Sequence, residues 1–265
     1  MTDNFIRLSQ AQLNLLETCP PQFQRLYLEQ LGSPLSPQQQ EKQTWGSQFH
    51  LLMQQKELGL PIESLVAQDE QLQHSITALM NAAPEIWQSE SGSWREAEHC
   101  RTLSFQGYLL TVVYDLLMSD RAKAKIVDWK TYLFPENRAK LAKNWQTRLY
   151  LYVLAETTDY LPEQISMTYW FVKLPTQPQS LTFVYNSVQH EKNRQDLTRL
   201  LTQLDRWLDN YSNAGTSFPH LSNCQESCPY YQSLLEFGAF LDSDRFAIEK
   251  DWIALIDEIE EISID

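Results

Sequence analysis

The chain has 265 residues, 43% hydrophobic and 12% aromatic, a composition that excludes an extensively disordered protein. It has no apolar run near the roughly 18 residues that a bilayer span needs and no signal-like segment at Met1–Arg7, so the expectation is a soluble, cytoplasmic protein without a membrane partner. The formal charge of −13 argues at first against nucleic acid, whose phosphates ask for a basic footprint.

In chain order, Ser9 is a plausible N-cap for a helix within Leu8–Leu31, with Leu13, Leu16, Phe23 and Tyr27 at helical spacing. Cys19-Pro20-Pro21 should break it into two, because proline removes a donor and restricts the residue before it. Gly32–Gln40, with two prolines, reads as a loop. Trp45–Leu58 reads as a helix with Gly46 and His50 one turn apart, and Gln68–Asn81 as another. The period then changes. Arg95–Leu103, Tyr108–Met118 and Lys123–Thr131 are short, partly β-branched runs separated by turns at Phe105-Gln106-Gly107 and Ser119-Asp120-Arg121, which predicts three antiparallel strands. Asn137–Thr157 follows as one long helix, with Leu141, Trp145, Leu149, Tyr152 and Val153 inward. Strands at Ile165–Leu174 and Ser180–Tyr185, a helix at Ser187–Tyr211 and a last helix from Ser243 complete the pattern.

This order fits an α/β mixed sheet flanked by helices, and also a simpler α+β sandwich. With no repeat or low-complexity linker, the expectation is a single domain over 1–265, its core at about 92–186 and helical elaborations at 1–91 and 187–265.

Chemistry concentrates in two strands. Asp115 lies near the end of the second, and Asp128 and Lys130 lie two apart on the third, sharing a face that Trp129 does not. The obvious hairpin register brings Asp115 beside Asp128. Two neighbouring carboxylates resist joint ionisation, and a divalent cation removes that penalty. An isolated Asp-x-Lys reads equally as a surface ion pair. Charge distribution adds weight. Arg121, Lys123, Lys125, Lys130, Arg138, Lys140, Lys143 and Arg148 face only Asp128 and Glu136, so this window carries +6 and the remainder −19. From Leu241 onward nine acids meet Arg245 and Lys250, which reads as a solvated helix face.

Short motifs along Leu8–Pro229 give these residues a context. They run Leu8-Ser9-Gln10, Cys19-Pro20 with Phe23, Trp45-Gly46-Ser47-Gln48-Phe49-His50, a strand bearing Glu96 and Glu98, Asp115, Asp128-Trp129-Lys130-Thr131, and Gln146 with Tyr150. In this order they resemble the PD-(D/E)XK nuclease superfamily, in particular the RecB-like branch with its recombination exonucleases and CRISPR-associated nucleases. The resemblance implies a restriction-endonuclease-like mixed sheet with extra N- and C-terminal helices, and Mg²⁺- or Mn²⁺-dependent hydrolysis of DNA, on single strands or ends. It implies that Asp115, Asp128 and the Trp129 carbonyl ligate the metal, with His50 as a further ligand that biases the site toward Mn²⁺. Lys130 would position the attacking water and offset phosphate charge. Gln146 and Tyr150, with Arg138 and Lys143, would contact substrate. Between Glu96 and Glu98 the strand pattern does not choose. DNA versus RNA, exo versus endo action, and repair, recombination or defence also stay open. Two rivals remain: a catalytically silent scaffold that binds nucleic acid or a protein partner, and a phosphoesterase acting on small nucleotides.

Four cysteines, Cys19, Cys100, Cys224 and Cys228, do not suggest a disulfide framework in a chain this long. The resemblance implies a [4Fe–4S] cluster with one cysteine before the histidine helix and three near the C-terminus. Cys19, Cys224 and Cys228 match, but Tyr231–Gly238 lacks the last, and Cys100 is badly placed. Cys19, His220, Cys224 and Cys228 also make a conceivable zinc set. The preferred reading is a vestigial clamp without metal.

Overall fold

A computed structural model describes residues 6–32, 34, 36–67, 69–88, 92–131, 137–174, 177–221 and 228. The α-helices among them are α1 (Gln10–Thr18), α2 (Pro20–Phe23), α3 (Pro37–Glu57), α4 (Glu63–Val66), α5 (Glu70–Ala82), α6 (Pro84–Trp87), α7 (Arg138–Lys143), α8 (Trp145–Glu156) and α9 (Ser187–Ala214). The strands are β1 (Ile6–Leu8), β2 (Trp94–Phe105), β3 (Tyr108–Ser119), β4 (Ala124–Lys130), β5 (Ile165–Phe171) and β6 (Gln179–Val184). By contact density the chain falls into two units, residues 1–8 with 44–194, and residues 9–43 with 195–265.

The first unit holds a six-stranded mixed sheet built around β3. One edge of β3 pairs antiparallel with β2 along its length. The other edge is shared: β1 runs parallel to its start, up to Leu8↔Leu110, and β4 antiparallel to its end, from Leu116↔Val127. β5 lies parallel to β4, and β6 antiparallel to β5. Gln106 and Gly107, with φ of 50° and 80°, make the two-residue turn between β2 and β3 whose twist suits a hairpin. Asp120 closes the next turn, its Oδ1 accepting the Ala122 and Lys123 N–H groups at 2.7 and 3.0 Å.

Helices cover both faces. On one, Trp45, Phe49, Leu52 and Met53 of α3 and Leu72, Ile76 and Leu79 of α5 form a core with Leu116, Val127, Trp129, Trp170 and Val172. On the other lies α8. The Tyr114 hydroxyl donates to its Tyr150 carbonyl at 3.0 Å, and Phe105 meets Tyr152 edge-on. Alternation along β4 therefore turns Val127 and Trp129 into the first layer and leaves Asp128 and Lys130 on the α8 side. The mixed sheet flanked by helices is the architecture the sequence implied.

Boundaries differ where local chemistry was underweighted. The single helix expected over Asn137–Thr157 is two. Asn144 is extended (φ −63°, ψ 138°) and accepts the Gln146 N–H at 2.7 Å, so it ends α7 and caps α8. The loop expected over Gly32–Gln40 turns helical at Pro37, a residue suited to a first helical turn. The strand expected to reach Leu174 stops at Phe171. Strand β1 and the short helices α4 and α6 were not foreseen. The helix expected from Ser243 lies outside the described residues.

In the second unit, Ser9 caps α1 reciprocally with Gln12, whose Oε1 accepts the Ser9 N–H at 2.7 Å. The break expected at Cys19-Pro20-Pro21 is present, with Cys19 at φ −146°. Phe218 stacks on Phe23 with centroids 6.2 Å apart, and its N–H donates to Gln24 Oε1 at 2.6 Å.

Candidate active site

The site begins where β3 changes partners. On the edge shared by β1 and β4, residues 111–115 follow the last β1 pair and precede the first β4 pair. Asp115 closes that fork with its side chain: Oδ2 accepts the Trp129 N–H at 2.6 Å, where a β3 carbonyl would otherwise serve. The next step of the register beyond Leu116↔Val127 sets Asp115 beside Asp128. Both are buried, at 4% and 1% exposure, which is costly for two carboxylates.

His50 comes from α3, whose Trp45, Phe49 and Met53 anchor it in the core and leave His50 half-buried at the helix margin. Its Nδ1 lies 3.4 Å from Asp115 Oδ1. Glu98 arrives from the opposite side. It is the one residue of β2 without a partner in the β3 ladder, and it takes φ 51°. Glu96 is separated from it by this twist and stays exposed, accepting from His99 at 2.8 Å. The strand pattern could not choose between the two glutamates; with a left-handed residue interrupting the alternation, Glu98 joins the cluster and Glu96 does not. His50, Glu98 and Asp115 each present a ligand atom, all within 4.8 Å of one another. Burial first, and then the Asp115 charge, push the Glu98 carboxyl up to about 7; His50 pulls it down, and Asp128 adds to the rise.

Beside this cluster, Gln146 of α8 joins Asp128 to Lys130. Its Nε2 donates to Asp128 Oδ2 at 2.7 Å, and its Oε1 accepts from Lys130 Nζ at 2.6 Å. Lys130 Nζ also lies 3.1 Å from Asp128 Oδ1 and 5.2 Å from the centroid of the Tyr169 ring. Despite that ion pair, Asp128 Oδ1 has no hydrogen bond of acceptable geometry among the described residues, so a buried carboxylate oxygen is left with acceptor capacity.

The remaining expected residues divide. Tyr150 is fully buried, its ring edge-on to Tyr114 at 5.2 Å, so the structure gives this side chain a packing place. Arg138, Lys140 and Lys143 are exposed on α7, which leads through Asn144 into the helix of Gln146. Arg138 also lies over the Phe183 ring at 4.7 Å. Arg148 stacks on Trp145 at 3.8 Å and donates to Asn193, so it serves internal contacts. Arg121 and Lys123 precede the far end of β4 from Lys130, with Lys123 about 23 Å from it at roughly 3.3 Å per residue. The basic window is therefore divided: Lys130 belongs to the site, α7 leads into the helix of Gln146, and Arg121 and Lys123 lie away from both. Cys19 and Cys228 are buried with sulfurs 3.2 Å apart, while Cys224 lies outside the described residues.

The donor set suits a hard divalent cation. Two carboxylates and one imidazole converge, and their 4.8 Å span is within a few tenths of an ångström of twice a metal–oxygen distance of about 2.1–2.5 Å. The Asp128 oxygen, ion-paired with Lys130 but without a hydrogen bond among the described residues, and the raised Glu98 carboxyl both mark negative charge that a cation would relieve. Sequence reasoning left Glu98 undecided and did not consider Tyr169, although its place on the strand beside Asp128 was a usable signal.

The family model of the PD-(D/E)XK nuclease superfamily matches residues 7–233. Among solved structures, a candidate exonuclease from Eubacterium rectale superposes with a TM-score of 0.51 at 11% identity, covering 93% of this chain and 91% of that one, a likeness of fold. The protein SSO0001 aligns at 11% identity with a TM-score of 0.36 over 80% of this chain and 88% of that one, too distant to carry an argument. No curated protein sequence matches significantly. No helix among the described residues is long and apolar enough to cross a membrane.

Proposed function

The chain belongs to the PD-(D/E)XK nuclease superfamily, and on that premise we propose that it is a Mg²⁺- or Mn²⁺-dependent deoxyribonuclease acting on single strands or ends. The observation that carries the reading is the meeting of Asp115, His50 and Glu98 next to the Asp128–Gln146–Lys130 triangle. The family match crosses both units, which supports treating them as one nuclease domain. The solved neighbour described as a candidate exonuclease supports action on ends.

Asp115, Asp128, His50 and Glu98 would hold the cation, with imidazole favouring Mn²⁺ over Mg²⁺. When bound, the metal lowers the pKa of a coordinated water and offsets charge on the phosphate. Lys130, kept in place by Gln146, would orient the attacking water and offset phosphate charge. The Trp129 N–H turns toward Asp115, and in an extended strand the carbonyl of the same residue shares that edge, which supports it as a further ligand. Arg138, Lys140 and Lys143 meet the phosphate backbone beyond the scissile group.

The test is cleavage of end-labelled single- and double-stranded DNA in EDTA, Mg²⁺ or Mn²⁺, beside Asp128→Ala. Metal-dependent loss of label that the variant lacks is the expected result, and the product ladder separates exo from endo cutting. No cutting in any lane, with Mn²⁺ still bound by calorimetry, would overturn it in favour of a silent scaffold.

A further inference from the structure

We propose that Tyr169 is a positioning residue for Lys130, fixing its ammonium through the face of the ring. The inference rests on the nuclease reading for its consequence in turnover, but not for its geometry. Lys130 Nζ lies 2.6 Å from Gln146 Oε1, 3.1 Å from Asp128 Oδ1 and 5.2 Å from the Tyr169 ring centroid. β4 and β5 are parallel with Asp128↔Tyr169 in register, so the ring rises from the strand next to the ion pair. Tyr169 is fully buried and Lys130 nearly so, which strengthens a cation over an aromatic face relative to one in water.

The ring is itself held at its hydroxyl and against Phe183. Its hydroxyl lies 2.7 Å from Thr147 Oγ1, and Thr147 spends its only hydroxyl proton on the Leu141 carbonyl at 2.6 Å. Tyr169 must therefore donate to Thr147, on the same helix as Gln146. Phe183 meets the ring edge-on at 5.9 Å. A neutral π-face suits this place. A second carboxylate would bind the ammonium too tightly to release it toward phosphate, whereas the ring attracts it without claiming a proton.

Two variants separate the face from the bulk: Tyr169→Phe keeps the face, and replacement of Tyr169 by pentafluorophenylalanine keeps the shape while reversing the sign of the face. Turnover of end-labelled DNA, Mn²⁺ affinity by calorimetry and the ¹³C-detected shift of the Lys130 ε-methylene are measured for each. Tyr169→Phe should stay within about threefold of the parent, whereas the fluorinated ring should lower kcat roughly 10- to 30-fold, with KM and Mn²⁺ affinity within about twofold. The Lys130 methylene should show an upfield ring-current shift that Tyr169→Leu abolishes, a readout that needs no cutting. Equal kcat for the two rings, a parallel loss of Mn²⁺ affinity, or no ring-current shift overturns the inference. A parent protein that shows the shift and never cuts sinks the nuclease reading instead.

Discussion

Glu98 and Asp115 occupy facing positions on β2 and β3, at the single step where that ladder lapses, and Glu98 is left-handed there. The twist turns its carboxylate toward His50 and Asp115, and burial plus the Asp115 charge push it up to about 7 from an ordinary 4.5. A carboxyl raised on folding binds its proton more tightly in the native state, so stability falls as pH rises from about 4.5 to 7 and levels off above. In metal-free protein, Glu98→Gln should therefore melt higher than the parent by a margin that grows over that interval. Mn²⁺ should raise the parent's Tm more at pH 8 than at pH 5.5, and raise the variant's less. Melting curves at several pH values with EDTA or Mn²⁺ check both; a margin independent of pH would remove Glu98 from the charged cluster.

Lys130 offers a second test. Truncating one member of a buried ion pair leaves the other charge uncompensated, at a cost of about 3–5 kcal/mol. Lys130→Ala should be destabilised by an amount near the lower figure, since Gln146 still donates to Asp128, and turnover should fall by 10²-fold or more. If Asp128 contributes to the cation site, Mn²⁺ should recover part of the lost Tm. Recovery absent at saturating Mn²⁺ would separate Asp128 from the metal.

Gln146 shows how far the sequence could be read. Its spacing from Tyr150 marked one helical turn, and the resemblance attached substrate to both. The structure spends the Gln146 amide on Asp128 and Lys130 and buries the Tyr150 ring. Periodicity gives a face, not what occupies it. The neighbouring placement of Asp115, Asp128 and Lys130 was legible because strand alternation and a short hairpin are local rules. Glu98 was not, because one residue with φ 51° reverses an alternation that composition cannot signal. β1 was missed because three residues carry too little pattern and form a strand only by pairing with β3. Asn144 could have been read as a cap; the apolar spacing running through it concealed the break. For Gln146 itself, Gln146→Ala leaves Asp128 Oδ2 without its amide donor, costing about 1–3 kcal/mol. Activity should drop about tenfold with KM little changed, measured by steady-state kinetics beside a thermal melt. A change confined to KM would return Gln146 to substrate contact.

The α7 cations give the last test, because the structure divides a basic window that looks uniform in sequence. Arg138, Lys140 and Lys143 are exposed on the helix that leads into α8, whereas Arg121 and Lys123 lie at the opposite end of β4 from Lys130. Each cation that neutralises a phosphate steepens the salt dependence of binding by about one unit of slope. Replacing Arg138, Lys140 and Lys143 by alanine together should raise KM, leave kcat within about twofold, and flatten the plot of log affinity against log salt by roughly two to three units. Arg121→Ala with Lys123→Ala should leave that slope unchanged. Fluorescence anisotropy with labelled single-stranded DNA across a salt series reads both. An equal loss of slope from the two sets would mean that the whole window meets DNA, and an unchanged slope from the α7 set would move the strand to another face of the sheet.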